Sequence, residues 1–396
     1  MNIRNRLLLA CAALAAGEFA ASRALGFVEA WPAVVGLAAL VALAGFAWSV
    51  RGWPLVAIAL VGMAAFFLSS LESERSFRER PWMREARVRR AEPAHQPPAV
   101  AAVRRDFARR VALGIEEDAE VVSLNRAILL GERASLSPDL KRTFVESGTI
   151  HVFAISGLHV MGVARVLMFL LAFVWLPRRL VGVAAIPLLW GYVILIGAPP
   201  SAVRAAGMAT LTCLAPLFRR RPDGVVAWSL TYLAVHLMRP SLVVDVGSAL
   251  SFAVMLSILV VCDALRDRRE GWTKTLAVTV VAWAAGVPIA AHVFGRVTPG
   301  GILANLALLP AAGVTVCAGI VGIVASFASE TLAAHLNALA ALFTRAMVML
   351  SDFVSRLPGA NFEVPRWTVA VCAEWYAALA LIWLLHALAS RRRRRI

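Results

Sequence analysis

Residues 151–160 read "HVFAISGLHV" and bring two imidazoles, His151 and His159, to the start of a strongly apolar run, "MGVARVLMFLLAFVWL". Histidines and a Ser156-Gly157 break are poor choices for a segment whose only task is to sit in lipid, because polar groups there are costly. Ser156 and His159, three apart, have the spacing of a nucleophile and a base on one helical turn, but no acid is placed to orient the imidazole. Three other stretches are also too polar or too broken for plain lipid packing. In "GAPPSAVRA" (197–205), Gly197, Pro199 and Pro200 end one helix, Ser201 is placed to cap the next, and Arg204 lies in its first turn. In "DVGSALSF" (245–252), Asp245 sits a little inside an apolar run, with Gly247 and Ser251 four apart. "NLALLP" (305–310) sets Asn305 near the start of another such run.

Other chemistry is not suggested. The chain has no Walker A pattern and no His-x-His pair, and its cysteines (Cys11, Cys213, Cys262, Cys317, Cys372) form no Cys-x-x-Cys. No catalytic residue, metal site or cofactor is expected, and the protein is not expected to be an enzyme.

The elements that position these residues follow from composition. Of 396 residues, 60% are hydrophobic and only 16% charged, and the mean hydropathy is +0.75. Soluble domains run at about 45–50% apolar and about 25% charged. Apolar segments near bilayer length fall at 7–25, 30–50, 54–71, 152–176, 180–197, 201–218, 225–239, 241–263, 274–294, 301–328, 331–357 and 366–389. The reading is an all-α polytopic membrane protein of about 10–12 transmembrane helices, several of them broken. The net charge of +16 would make a soluble protein a nucleic-acid binder. Here topology explains it. Arg4 and Arg6, Arg51, Arg178 and Arg179, the "RRR" at 219–221, the basic run at 266–274 and the "RRRRR" at 391–395 all fall on one side when crossings are counted from a cytoplasmic N-terminus.

That count gives spans at 1–71, an extracytoplasmic polar segment at 72–149, a membrane domain at 150–390 and a basic cytoplasmic tail at 391–396. Both termini face the cytoplasm, and the basic-then-apolar N-terminus is read as an uncleaved first span. The polar segment is expected to form short helices lying on the membrane surface, with Ser137 as an N-cap, Pro138 at the first helical position and Gly148 as a stop.

The four broken stretches all open helices that run from outside to inside. Helix N-termini carry unsatisfied N–H groups and partial positive charge, so four gathered starts with Arg204, His151 and His159 would form a mouth suited to a polyanion. Plainer readings stand beside this one. Arg204 can snorkel to headgroups or pair with Asp245, His159 can bridge two helices, and Gly247 with Ser251 can serve close packing.

Four blocks together resemble the ComEC competence family of bacterial DNA-uptake channels. They are "ILLGERASLSPDLKRTFVESGTIHVFAISGLHV" (128–160), "GAPPSAVRAAGMA" (197–209), "DVGSALSFAVML" (245–256) and "NLALLP" (305–310), in the family's order. The resemblance implies a channel core in the inner membrane that passes single-stranded DNA into the cytoplasm during natural transformation. It further implies an extracytoplasmic DNA receptor, a separate nuclease and a cytoplasmic helicase-type motor as partners, besides membrane lipid. His151, Ser156, His159, Arg204 and Asp245 would line the outer path; Gly157, Pro200, Gly247 and Ser251 would shape it, with Ser201 and Asn305 beside them. The sequence departs from the family pattern in two places. Residues 72–149 are too short and helical for a complete OB-fold, and a metallo-β-lactamase-like domain is not expected after "ASRRRRRI". The rival reading is a secondary transporter of a small anionic solute, with Asp245 or His159 relaying protons.

Overall fold

The computed structural model describes residues 97–153, 155–173, 176–238, 246–265, 271–368 and 370–379. The expected spans at 7–25, 30–50 and 54–71, the basic tail and Asp245 lie outside these residues.

Three short helices come first: α1 (Pro98–Ala112), α2 (Ala119–Leu130) and α3 (Pro138–Glu146). Their ends follow local chemistry. The Asp118 carboxylate accepts from Val121 N–H at the start of α2, and Gly131 closes it in the left-handed region at φ 73°. Ser137 caps α3 through Leu140 N–H, as its position before Pro138 predicts. The chain then runs through α4 (Gly157–Ala172), α5 (Arg178–Leu195), α6 (Pro200–Leu214), α7 (Gly224–Met238), α8 (Val246–Ala264) and α9 (Trp272–Phe294). Two helices of 26 residues follow, α10 (Gly300–Ala325) and α11 (Glu330–Ser355), packed as an antiparallel hairpin. A two-stranded ladder, Arg296–Val297 against Phe362–Glu363, ties the start of α10 to the segment after α11. A short apolar helix, Ala370–Leu379, ends the described chain.

Among the described residues, five stretches are long and apolar enough to cross a bilayer: Pro200–Phe218, Gly247–Ala264, Trp272–Phe294, Gly300–Ala325 and Glu330–Ser355. The protein is an all-α, multi-pass membrane protein. The expected span at 152–176 emerges as the 16-residue α4, about 24 Å long. It starts later because Ile150–Phe153 takes a 3-10 turn and Ser156 then caps the helix.

The polar helices differ from expectation in where they lie. Gly114, after α1, comes so close to α11 that an added Cβ would sit 2.5 Å from Ala334 Cβ. Arg110 donates to Ser326 Oγ (2.8 Å), and the Asn337 amide donates to Arg110 O (2.8 Å) and Leu113 O (3.0 Å). All of these touch the turn end of the α10–α11 hairpin. Gly148 meets Thr298 and Gly301 at the opposite end, and Thr149 bonds Ser351. Between them Thr344 Oγ1 lies 2.6 Å from Asn125 Oδ1, and Arg345 pairs with Asp118 at 2.8 Å. The α1–α3 segment therefore runs along the whole hairpin and does not lie on one surface of the bundle. Apolar periodicity could not show this, because the polar atoms that hold it find partners more than 200 residues away.

Among the described residues three packed clusters hold the helices together. The largest joins α2, α4, α5, α6, α10 and α11 through Leu129, Val160, Val193, Ala206, Val316 and Met347. A second is aromatic: Trp228 stacks on Tyr232 (5.4 Å) and meets Phe252 edge-on (5.7 Å), joining α7 to α8. A third, small one sets Ala112, Ile115, Val121 and Val122 against Ala341 of α11.

Candidate channel mouth

The break that opens α4 is a helix cap. His159, at the third helical position, accepts the Ser156 backbone N–H on Nδ1 (3.2 Å), and the same nitrogen lies 2.9 Å from Ser156 Oγ. Glutamate or glutamine usually fills this place in a capping box. A backbone N–H can only donate, so Nδ1 bears the lone pair and Nε2 carries the proton. The pair is thus arranged as a cap, with its imidazole turned the wrong way to serve as the base of a Ser–His pair oriented through Nδ1. At the far tip of the ring, Nε2 is buried without a hydrogen-bond partner, and His159 is 1% exposed. Gly157 keeps ordinary distance from α6, 3.9 Å from an added Cβ to Ala205 Cβ.

A capping role makes a graded prediction. His159→Gln keeps an acceptor for the Ser156 N–H and is expected to match wild type in thermal unfolding of the detergent-purified protein. His159→Leu loses the cap and about 1 kcal/mol. If His159→Gln unfolds as early as His159→Leu, the ring is not acting as the cap.

The second break seats α6. Gly197 (φ 86°) and Ala198 (φ 48°) turn the chain sharply before Pro199 and Pro200. Ser201 was expected to cap this helix. Pro199 holds the cap position, and the Ser201 hydroxyl donates instead to Ile155 O at 2.6 Å, tying the start of α6 to the approach of α4.

Arg204 is 4% exposed and faces α8. Its Nε donates to Ser251 Oγ and its Nη2 to Gly247 O, both at 3.2 Å, with the guanidinium 5.4 Å from the Phe252 ring centre. Gly247 and Ser251 act as acceptors for this arginine, a use their four-residue spacing suits because both lie on one helical face. Asn305, in the second turn of α10, has its Oδ1 buried without a partner. His151 lies in the 3-10 turn before α4. Its side chain is exposed, yet the protein around it strips enough water to hold its imidazole below the usual value, against a hydrogen bond to Gly148 O.

These links gather the starts of α4, α6 and α8 at one end, with the start of α4 packed beside the middle of α10, where Gly162 meets Val316. Behind them α4, α6, α8, α9 and α10 close a circuit: each packs on the next, α10 returns to α4, and pairs across the circuit make at most glancing contact among the described residues. Three N-termini at one end make a site of positive potential without any bound cation. Among the described residues no group of three or more His, Cys, Asp or Glu side chains is placed to hold a metal.

Two arginines were not singled out from the sequence. Arg133 follows the left-handed Gly131 and is exposed beside the mouth; its position within the turn gave no periodic signal. Arg165 is the one Lys, Arg, Asp or Glu of α4 and is exposed halfway along it. A lone charge at that depth is a signal in itself.

A protein-family model described as "Competence protein" matches residues 128–389, about two thirds of the chain and every helix of the ring. The chain belongs to the Competence family. Its relatives include "ComE operon protein 3" of Bacillus subtilis (strain 168), 25% identical over 47% of this chain and 24% of that protein. "Competence protein ComA" of Neisseria gonorrhoeae is 29% identical over 64% of this chain and 37% of the relative. An uncharacterized protein of Aquifex aeolicus (strain VF5) is 28% identical over 61% and 57%. The match thus spans from about a quarter to somewhat over half of these relatives' own lengths. No solved structure matches the chain. Family membership and the multi-pass helical architecture together describe a competence-type membrane protein.

Proposed function

We propose that this Competence-family chain is the channel core through which one strand of DNA crosses the cytoplasmic membrane during natural transformation. The observation that carries the reading is the circuit of five helices with the N-termini of α4, α6 and α8 linked at one end. A closed circuit whose opposite members do not pack leaves an axis between them. Phosphates approaching the N-terminal end are attracted without contacts to bases, as strand conduction of any sequence requires. On this reading the mouth faces outward, both termini face inward, and His151, Ser156, His159, Pro200, Ser201, Arg204, Asp245 and Asn305 border the path. Arg204 acts there by fixing α6 to α8, and the histidine cap by fixing the start of α4. A receptor and a nuclease would deliver the strand, and a cytoplasmic motor would draw it in.

The test is transformation of a competent host that lacks this chain, complemented by the wild-type gene. Loss on deletion with duplex DNA still bound at the surface is the expected result. A competent host that transforms at the wild-type frequency without the chain would overturn the reading.

A further inference from the structure

Beside the mouth lies a recess of about 800 Å³, walled by Arg104, Glu132, Arg133, Ile155, Ile196 and Pro199 among others. Its charges are unequal in their engagement. Arg104 is committed: Nη2 donates to Leu130 O (3.0 Å) and Nε lies 3.3 Å from the Glu132 carboxylate. Glu132, the one acid of the lining, is thereby neutralised. Arg133 is exposed at the recess, and its side chain has no hydrogen bond or ion pair among the described residues. The surrounding protein strips part of its water, which pulls its guanidinium below the usual arginine range.

Two features add to this. Pro199 brings the start of α6, with its partial positive charge, into the wall. Nearby stands His159, whose Nε2–H is buried and unpartnered; Arg133 and His151 are the ionisable groups whose fields reach its ring.

We infer that this recess is a phosphodiester-binding station in which Arg133 is the cation that holds one backbone phosphate of the entering strand. The inference rests on the strand-conducting reading above and names a contact within it. The volume suits a nucleotide unit, since small-molecule sites run at about 300–1,000 Å³. Among the described residues the lining holds no aromatic side chain on which a base could stack, so the station reads the backbone and not the sequence.

The test uses the full chain in dodecyl maltoside and a fluorescein-labelled (dT)20 strand, with Kd measured by anisotropy across a salt series. Arg133→Gln is expected to weaken binding about tenfold, equally for (dT)20 and (dA)20. It should also reduce the slope of log Kd against log salt by about 0.7, the value of one single-strand phosphate contact. Arg133→Lys, which keeps the charge, should keep the slope. An unchanged slope in Arg133→Gln, with strand binding intact or weakened only through an earlier thermal transition, would overturn the station but leave the channel reading standing. Displacement of (dT)20 from wild type, but not from Arg133→Gln, by soluble dihexanoyl phosphatidylglycerol better than by inorganic phosphate would assign the recess to a lipid headgroup instead. Failure of the wild-type chain to bind (dT)20 at any salt would remove the strand reading itself.

Discussion

Arg204→Leu is expected to abolish transformation to the level of a deletion strain and to lower the thermal stability of the purified protein. The side chain is buried, and two of its acceptors, Ser251 Oγ and Gly247 O, belong to the first turns of α8. Hydrogen bonds to charged groups are worth about 1.5–3 kcal/mol each, and removal leaves the acceptors in a low-dielectric interior. A loss of about 3 kcal/mol or more follows. Because the contact joins α6 to α8, it is also one link of the ring, so the damage falls on the geometry of the mouth. Arg204→Lys should recover only part of the stability. An ammonium on a flexible stem presents one point charge where the guanidinium spans two acceptors. Wild-type unfolding and transformation by Arg204→Leu would show that the link is dispensable.

The second large effect is expected at Gly148→Ala. Gly148 has φ 74°, a conformation that costs an L-residue about 1–2 kcal/mol. The new Cβ would also stand 2.6 Å from Thr298 Oγ1, 2.9 Å from Thr298 Cβ and 3.3 Å from Gly301 Cα. Thr298 cannot easily withdraw, because its carbonyl accepts from Trp283 Nε1 (3.0 Å), and Gly301 is backbone of α10 itself. Overpacking of this kind adds about 1–3 kcal/mol, for a total near 3 kcal/mol. Thermal unfolding of the pair Gly148→Ala with Thr298→Gly should show partial recovery, since the clash is relieved and the backbone strain remains. Equal unfolding of single and double variants would mean that the contact is not what holds the 147–149 turn against α10.

Much of the membrane architecture is legible in the sequence for a physical reason. Long apolar runs must form helices in lipid, where every backbone group needs an internal partner. The run at 331–357, with His335, Arg345 and Asp352, was the hardest to assign, yet it forms one continuous helix from Glu330 to Ser355. Its polar residues serve contacts with the α1–α3 segment, as Asn337 and Arg345 show. Caps were legible where both partners are local, as at Ser137. They were not legible where the partner is remote. Ser201 looks like a cap and instead bonds Ile155 O, 46 residues away. The same limit hid the course of α1–α3 along the α10–α11 hairpin and the isolation of Arg133, which depends on Arg104 having taken Glu132. His159 drew notice for its residue type, while its function in the fold, receiving the Ser156 N–H, is set by a three-residue spacing that the sequence does contain.

The path itself is most directly tested by crosslinking during uptake. A photoreactive benzoylphenylalanine would replace His151, exposed at the mouth, or Leu342, 60% exposed on α11 outside the ring. Labelled donor DNA would be supplied to transforming cells, which are then irradiated. The account predicts crosslinks to single-stranded DNA from position 151 and none from 342. Crosslinks from 342 in preference to 151, or from neither while the variants still transform, would contradict passage of the strand through this ring.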